Sequence, residues 1–213
     1  MLCTFCDSVA SMLKPTLSRA DFDLAAEELG IDPKWMRAIG VVESRRQGFD
    51  AKGRPAILFE PSVFSDLTHH RYDGARCEIS GAPGVISRRN WAPDTYGTYG
   101  QQWIRLEAAQ ALDSSAALEA TSWGRFQILG RDQFGWATVE EFVAAMHESE
   151  QQHLRALCAF LRGKTVRGET LVEVICRGDV DTLAEGYNGK GYKRTGWDKK
   201  LRAALADIQR EAA

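Results

Sequence analysis

The sequence predicts a mostly α fold of the α+β class, with a small β element between two helical halves. Three observations carry this. Helix-start and helix-stop residues recur through both halves of the chain, apolar residues fall at spacings of three and four between them, and only AILFEP at 56–61 has a clear β composition. With 213 residues and 44% hydrophobic content, the chain can bury the core of about one domain.

Taken in order, Ser18 followed by Asp21 is a capping-box-like start to a helix through Leu29, with Gly30 as its C-terminal cap. Asp32 and Pro33 suit the N-cap and first residue of a second helix, through about Ser44. The AILFEP stretch, with Ile57 and Phe59 and flanked by Gly53, Pro55 and Pro61, reads as a strand or short hairpin. From about Tyr72 to Gly100 the chain is rich in Gly, Ser, Pro and Arg, with Trp91, Tyr96 and Tyr99 interleaved; a loop of this length is usually functional or disordered. Helices return at 101–112 and 114–120. A long helix opened by a Thr138 to Glu141 capping box runs to about Leu161, with Phe142, Met146, His153, Leu154, Leu157 and Leu161 as its stripe. Further helices are predicted at 169–177, 181–186 and 197–211, the last with Trp197, Leu201, Leu205 and Ile208 on one face. Its acidic residues dilute the basic face, which favours an ordinary docking helix over a membrane-disrupting tail.

Composition narrows the function. With 27 basic and 29 acidic side chains and a net charge of -2, no bulk attraction to nucleic acid or an anionic membrane is expected. Cys3, Cys6, Cys77, Cys158 and Cys176 are odd in number and scattered, unlike a secreted disulfide framework. The Cys3–Cys6 pair lacks a second pair and a preceding strand, so its spacing is read as fortuitous. Residues 1–17 carry Asp7 within their apolar stretch and no basic residue before it, which argues against a signal peptide, and no segment is long enough to span a bilayer. His69 and His70 diverge, His147 and His153 are six apart, and neither a metal site nor a cofactor motif is expected.

The chemistry centres on Glu43. Trp35, Met36, Ile39 and Val42 form an apolar stripe, and Glu43 lies four after Ile39 and seven after Met36, on or beside the buried face. The negative end of a helix and partial burial both disfavour an ionised carboxylate, which is how a general acid at neutral pH is made. Spacing alone leaves open a solvent-edge residue paired with Arg45 or Arg46. The accompanying segments shift the balance: IGVVESRRQGFD, TSWGRFQILG at 121–130 and LAEGYNGKGY at 183–192 occur in that order.

These segments resemble the landmarks of the lysozyme-like superfamily, familiar from goose-type lysozymes and lytic transglycosylases. The fuller match over about residues 30–200, including ILFEPSVF, SRRNW, YGTYGQQWIRL and SWGRFQILG, resembles the N-acetylmuramidase family of modular phage endolysins. The resemblance implies a lysozyme-like fold with the β element beside a catalytic cleft, a catalytic domain over 18–213 behind an N-terminal tail at 1–17, and Glu43 as catalytic acid. It implies peptidoglycan glycan strands as the partner and cleavage of the β-1,4 bond between N-acetylmuramic acid and N-acetylglucosamine. Members of that family often carry a separate peptidoglycan-binding domain, whereas about seventeen residues before the first helix lead us to expect a stand-alone, monomeric catalytic module; without a signal peptide it is expected to be made in the bacterial cytoplasm and to act in the periplasm after release.

Glycosidic cleavage by hydrolysis needs a second carboxylate. Glu60, on the β element with Leu58 on its face, is the first choice, and the resemblance places a functional Glu in its LFE segment; Asp50 is the alternative. An exposed strand residue is the plain alternative for Glu60. The resemblance sets Gln127 against the sugar, with Ser122, Trp123 and Gly124 turning the chain close to it, and gives Tyr187 and Asn188 the pair that frames the acid; Asn188 before Gly189 also suits a helix end. Trp91, Tyr96, Tyr99 and Trp123 are candidates for stacking on sugar faces, against a plain role in sealing the core. Two carboxylates on opposite walls predict an inverting enzyme. The competing functions are a lytic transglycosylase, which needs one carboxylate, and a non-catalytic wall-binding module.

Overall fold

The structure is a computed structural model that describes residues 14–43, 47–92 and 97–211, the side chain of Tyr99 excepted. Cys3, Cys6, Asp7, Ser44, Arg45, Arg46 and Tyr96 lie outside the described residues. Helix α1 (Arg19–Leu29) opens on the expected reciprocal cap, with the Ser18 N–H donating to the Asp21 carboxylate at 2.7 Å, and ends at Gly30 in the left-handed conformation, φ 68°. Helix α2 (Pro33–Glu43) begins where Asp32 accepts the Lys34 N–H at 2.9 Å. Trp35, Met36 and Ile39 are buried as the stripe requires, with Val42 half-buried beside them. A Cβ on Gly40 would lie 2.7 Å from the Phe22 ring, so glycine is what lets α1 and α2 approach. Helix α11 (Trp197–Glu211) packs against α2 through Trp197 and Leu201, as the docking-helix expectation has it.

The β element is larger than its sequence signal. Strand β1 (Ile57–Phe59) pairs antiparallel with β2 (Thr121–Trp123), which pairs with β3 (Ile128–Leu129). Ile57 lies opposite Trp123, and Ser122 opposite both Leu58 and Leu129. The partners of β1 escape detection because strands of two or three residues have too few positions for a period to register. Directly after β1, an unforeseen helix α3 (Pro61–Leu67) starts at Pro61, whose fixed φ suits a first helical position. A second hairpin, β4 (Thr165–Val166) with β5 (Glu169–Thr170), turns through Arg167 and Gly168, both at positive φ.

Helices α4 (Tyr99–Gln110) and α5 (Ser114–Glu119) follow the predicted segments closely. The preceding loop is tied down from α4: the Arg105 guanidinium donates to the Pro83 carbonyl at 2.8 Å, and the Gln101 amide to that of Ser80 at 3.0 Å. The long helix expected from Thr138 to Leu161 is two helices, α6 (Val139–Glu148) and α7 (Glu150–Gly163). Ser149 breaks it, with an extended backbone and a hydroxyl that accepts the Gln152 N–H at 3.3 Å to cap α7. The apolar stripe continues across the break, which is why periodicity alone reads one helix. Helices α8 (Leu171–Arg177), α9 (Val180–Asn188) and the short α10 (Tyr192–Thr195) complete the chain before α11. Over its described residues the N-terminal tail touches the domain: Lys14 reaches the His147 carbonyl, and the Leu17 N–H donates to the Glu150 carboxylate at 3.1 Å.

Candidate active site

A cleft of about 650 Å³ opens between the three-stranded sheet and the end of α9. Leu58, Glu60, Ser122 and Gln127 line its sheet side, and Tyr187 and Asn188 its helical side. Ile57 and Phe59 point into the core while Leu58 and Glu60 face the cleft, the alternation expected of a half-buried strand. Glu60 itself stands just past β1, at the N-cap of α3. Its N–H donates to the Ala120 carbonyl at 2.9 Å and its carbonyl accepts from Phe64 at 3.0 Å, so its backbone is anchored to both neighbouring elements. The carboxylate does not cap its own helix.

Gln127 sits at φ 51°, and its amide donates to the carbonyls of Ala56 at 3.1 Å and Gly124 at 2.9 Å. It thereby locks the β2–β3 turn onto the start of β1 while lining the cleft. Gly124 in that turn is at φ 71°, and a Cβ there would come within 2.8 Å of the His153 ring, so both backbone conformation and space demand glycine. Tyr187 and Asn188 close α9, with Gly189 at φ 72° as its C-cap. The Tyr187 hydroxyl donates to the Phe126 carbonyl at 3.1 Å, which joins α9 to the sheet side across the cleft.

Glu43 is the last residue of α2 and only 5% exposed. The Trp197 indole N–H donates to its Oε1 at 3.0 Å, and the same indole stacks on Tyr187 with ring centroids 4.8 Å apart at 18°. Among the described residues Glu43 does not line the cleft; its carboxyl is joined to the wall through Trp197 and Tyr187. Trp197 is the residue that sequence reasoning missed as part of the site. Its spacing shows only an apolar stripe, yet an indole N–H buried at a helix start requires an acceptor, and that requirement is the signal it offers.

Three of the candidates are not among the described residues that line the cleft. Trp123 is no sugar platform: it is 1% exposed, its ring faces the core, and its indole N–H is satisfied by the Leu118 carbonyl at 3.1 Å. Its place on the central strand sends its side chain to the face opposite that of Ser122. Trp91 is 50% exposed but packs under the Arg194 guanidinium, 4.9 Å from its ring centroid, and is not among the described lining residues. Asp50 lies in a separate depression with Phe49, Ala51 and Thr98. Burial alone would raise its carboxyl, but hydrogen bonds from Arg54 and Lys52 outweigh that and hold it below its ordinary value.

A buried polar knot supports the turn behind the cleft. Glu150 accepts the Gly48 N–H at 3.1 Å and pairs with Arg125 at 3.1 Å, while the Arg125 N–H donates to His153 Nδ1 at 3.2 Å. His153 Nε2 meets the Met146 carbonyl at 2.8 Å, so the ring is neutral with its proton on Nε2. Burial pushes His153 down from 6.5 to about 4. The knot ties together the segment after α2, the β2–β3 turn and α7. The sequence offers no sign of it, because the links that join its three segments span from 25 to 102 residues of sequence. No group of three or more metal-binding side chains occurs among the described residues.

No curated protein matches the chain. A solved structure, the crystal structure of Burkholderia AP3 phage endolysin, superposes with a TM-score of 0.78 at 31% sequence identity, covering 96% of this chain and 75% of that one. The family model for N-acetylmuramidase matches residues 32–209, which span α2 to α11 and therefore Glu43, the sheet, the cleft and Trp197. The chain belongs to the N-acetylmuramidase family.

Proposed function

We propose that this N-acetylmuramidase, a glycoside hydrolase of peptidoglycan, acts as an endolysin and cuts the glycan strand with inversion, using Glu43 as general acid and Glu60 as general base. The observation that carries the reading is the Glu43 carboxyl: a side chain only 5% exposed at the end of a core helix, held by an indole N–H that also packs on the cleft wall. A general acid must be shielded from bulk water and held in one orientation; the burial of Glu43 and the Trp197 hydrogen bond support that role. Glu60 supports the second role, since it faces the cleft from the sheet side and its backbone is pinned on two sides.

In the proposed reaction Glu43 gives its proton to the glycosidic oxygen between N-acetylmuramic acid and N-acetylglucosamine as the C–O bond breaks. A water attacks the anomeric carbon from the opposite face and loses its proton to Glu60, which releases it to solvent as Glu43 is reprotonated. Ser122, Gln127, Tyr187 and Asn188 line the space in which the sugar would lie. In this reading the enzyme works as a monomer, is made in the cytoplasm and meets its substrate in the periplasm once released. Proton NMR of freshly cut glycan tests the stereochemistry: the α-anomer of the new reducing end is expected first. An initial β-anomer, an anhydro product lacking the added water, or an undiminished Glu60→Gln variant would refute the assignment.

A further inference from the structure

The cleft does not end at the sugar site. After β3, residues Gly130–Asp132 form a single 3-10 turn, and Arg131 on that turn borders both the cleft and a second depression of about 390 Å³. Ser115, Glu119, Gln133, Thr138 and Glu140 line this second space, so its wall is polar and carries two carboxylates. The other charges on the cleft near Arg131 are already matched within the fold: Asp132 pairs with Lys164 at 2.8 Å, and Glu185 with Arg167 at 2.5 Å. Arg131 is exposed on the saddle between the two spaces, and among the described residues it has no ion-pair partner.

A neutral sugar has no use for a guanidinium flanked by two carboxylates. A short peptide with both charges does, and peptidoglycan supplies one on each muramyl residue. Resting on the peptidoglycan reading above, we propose that the second depression is a subsite for this stem peptide. Arg131 receives a peptide carboxylate, while Glu119 and Glu140 receive the amine of a diamino acid. A bare lactyl carboxylate, the other anionic group on the glycan, would satisfy Arg131 and leave both glutamates without a counter-charge. The enzyme would then distinguish native wall from stripped glycan strands at a point outside the reacting sugars.

The test uses the full chain and two substrates: glycan carrying its peptides, and the same glycan stripped by an amidase, which leaves free lactyl carboxylates. The native enzyme is expected to favour the peptide-bearing substrate. Arg131→Ala and the Glu119→Gln/Glu140→Gln double variant should each lower the ratio of the two kcat/KM values about fivefold, as the loss of a partly exposed charge-assisted hydrogen bond would. An unchanged ratio in both variants overturns the subsite. A rise of the ratio with Arg131→Ala, from a loss confined to the stripped glycan, assigns the site to the lactyl carboxylate and overturns the peptide assignment. Titration with a free stem tripeptide ending in diaminopimelate separates this from the hydrolase reading: amide shifts at 115–119 and 130–140 are expected in the native protein, weakened in Arg131→Ala. Absence of those shifts overturns the subsite whatever the activity, whereas shifts in a protein that cuts neither substrate would sink the hydrolase reading and leave the subsite standing.

Discussion

Replacing Trp197 with Phe isolates the indole N–H that holds Glu43. Phenylalanine retains an aromatic ring to pack on Tyr187, whose centroid lies 4.8 Å from that of Trp197, so the change removes chiefly the 3.0 Å hydrogen bond to Glu43 Oε1. A buried hydrogen bond to an ionisable group contributes about 1.5–3 kcal/mol, and Glu43 is buried enough for most of that to apply. Taking about 2 kcal/mol, and about 2–4 °C of Tm per kcal/mol for a chain of this size, Tm should fall by about 4–8 °C. If the same bond fixes the proton donor in its working position, kcat should fall at least about tenfold, since 1.4 kcal/mol of lost positioning is a factor of ten. KM should hold steady, because Trp197 is not among the residues lining the cleft. Initial rates on purified peptidoglycan, with a thermal melt of the same sample, measure both effects. An unchanged kcat in a protein with the lowered Tm would show that the bond serves stability alone, and a loss confined to KM would show that Trp197 contacts substrate.

Two further outcomes follow from the buried groups. His153, held neutral and pushed down to about 4 from 6.5, binds its proton more readily in the unfolded chain. Its contribution is therefore complete above about pH 6.5 and is lost as pH falls toward 4, amounting to about 3 kcal/mol over that range. Urea midpoints from pH 7 to pH 4 should thus fall more steeply for the native chain than for His153→Gln, and parallel curves would contradict the neutral-histidine account. Trp123→Phe should cost about 1–3 kcal/mol through the lost core volume and the orphaned Leu118 carbonyl, with KM unchanged; a rise in KM without a loss of stability would restore Trp123 to the sugar site.

The helical frame was legible because its signals are local. Ser18 with Asp21, Gly30, and Asp32 with Pro33 each state a helix boundary within a few residues, and each boundary lies where the sequence puts it. The lining of one cleft was legible in outline: Glu60, Ser122, Gln127, Tyr187 and Asn188 all border it, although they come from three separate stretches of chain. The misses share a physical cause. Trp123 has the right residue type, but which face of β2 points outward depends on pairing with β1 and β3, whose register is invisible before the sheet is assembled. The break at Ser149 leaves the apolar period intact and shows only in the backbone. Trp197 and the Glu150–Arg125–His153 knot depend on partners far away in sequence: the indole reaches Glu43 across 154 positions, and Gly48 reaches Glu150 across 102.

The central claim, that Glu43 supplies the proton for glycosidic cleavage, is tested most directly by Glu43→Gln. The substitution is nearly isosteric and leaves an amide oxygen to accept the Trp197 N–H, so the protein should melt within a few degrees of the native chain. Loss of the transferable proton should lower the lysis rate of permeabilised Gram-negative cells by about 10²–10⁴, the usual worth of a positioned general acid. A well-folded Glu43→Gln protein that keeps more than about a tenth of native activity would contradict the account, because such a remainder is far above what general acid catalysis leaves behind.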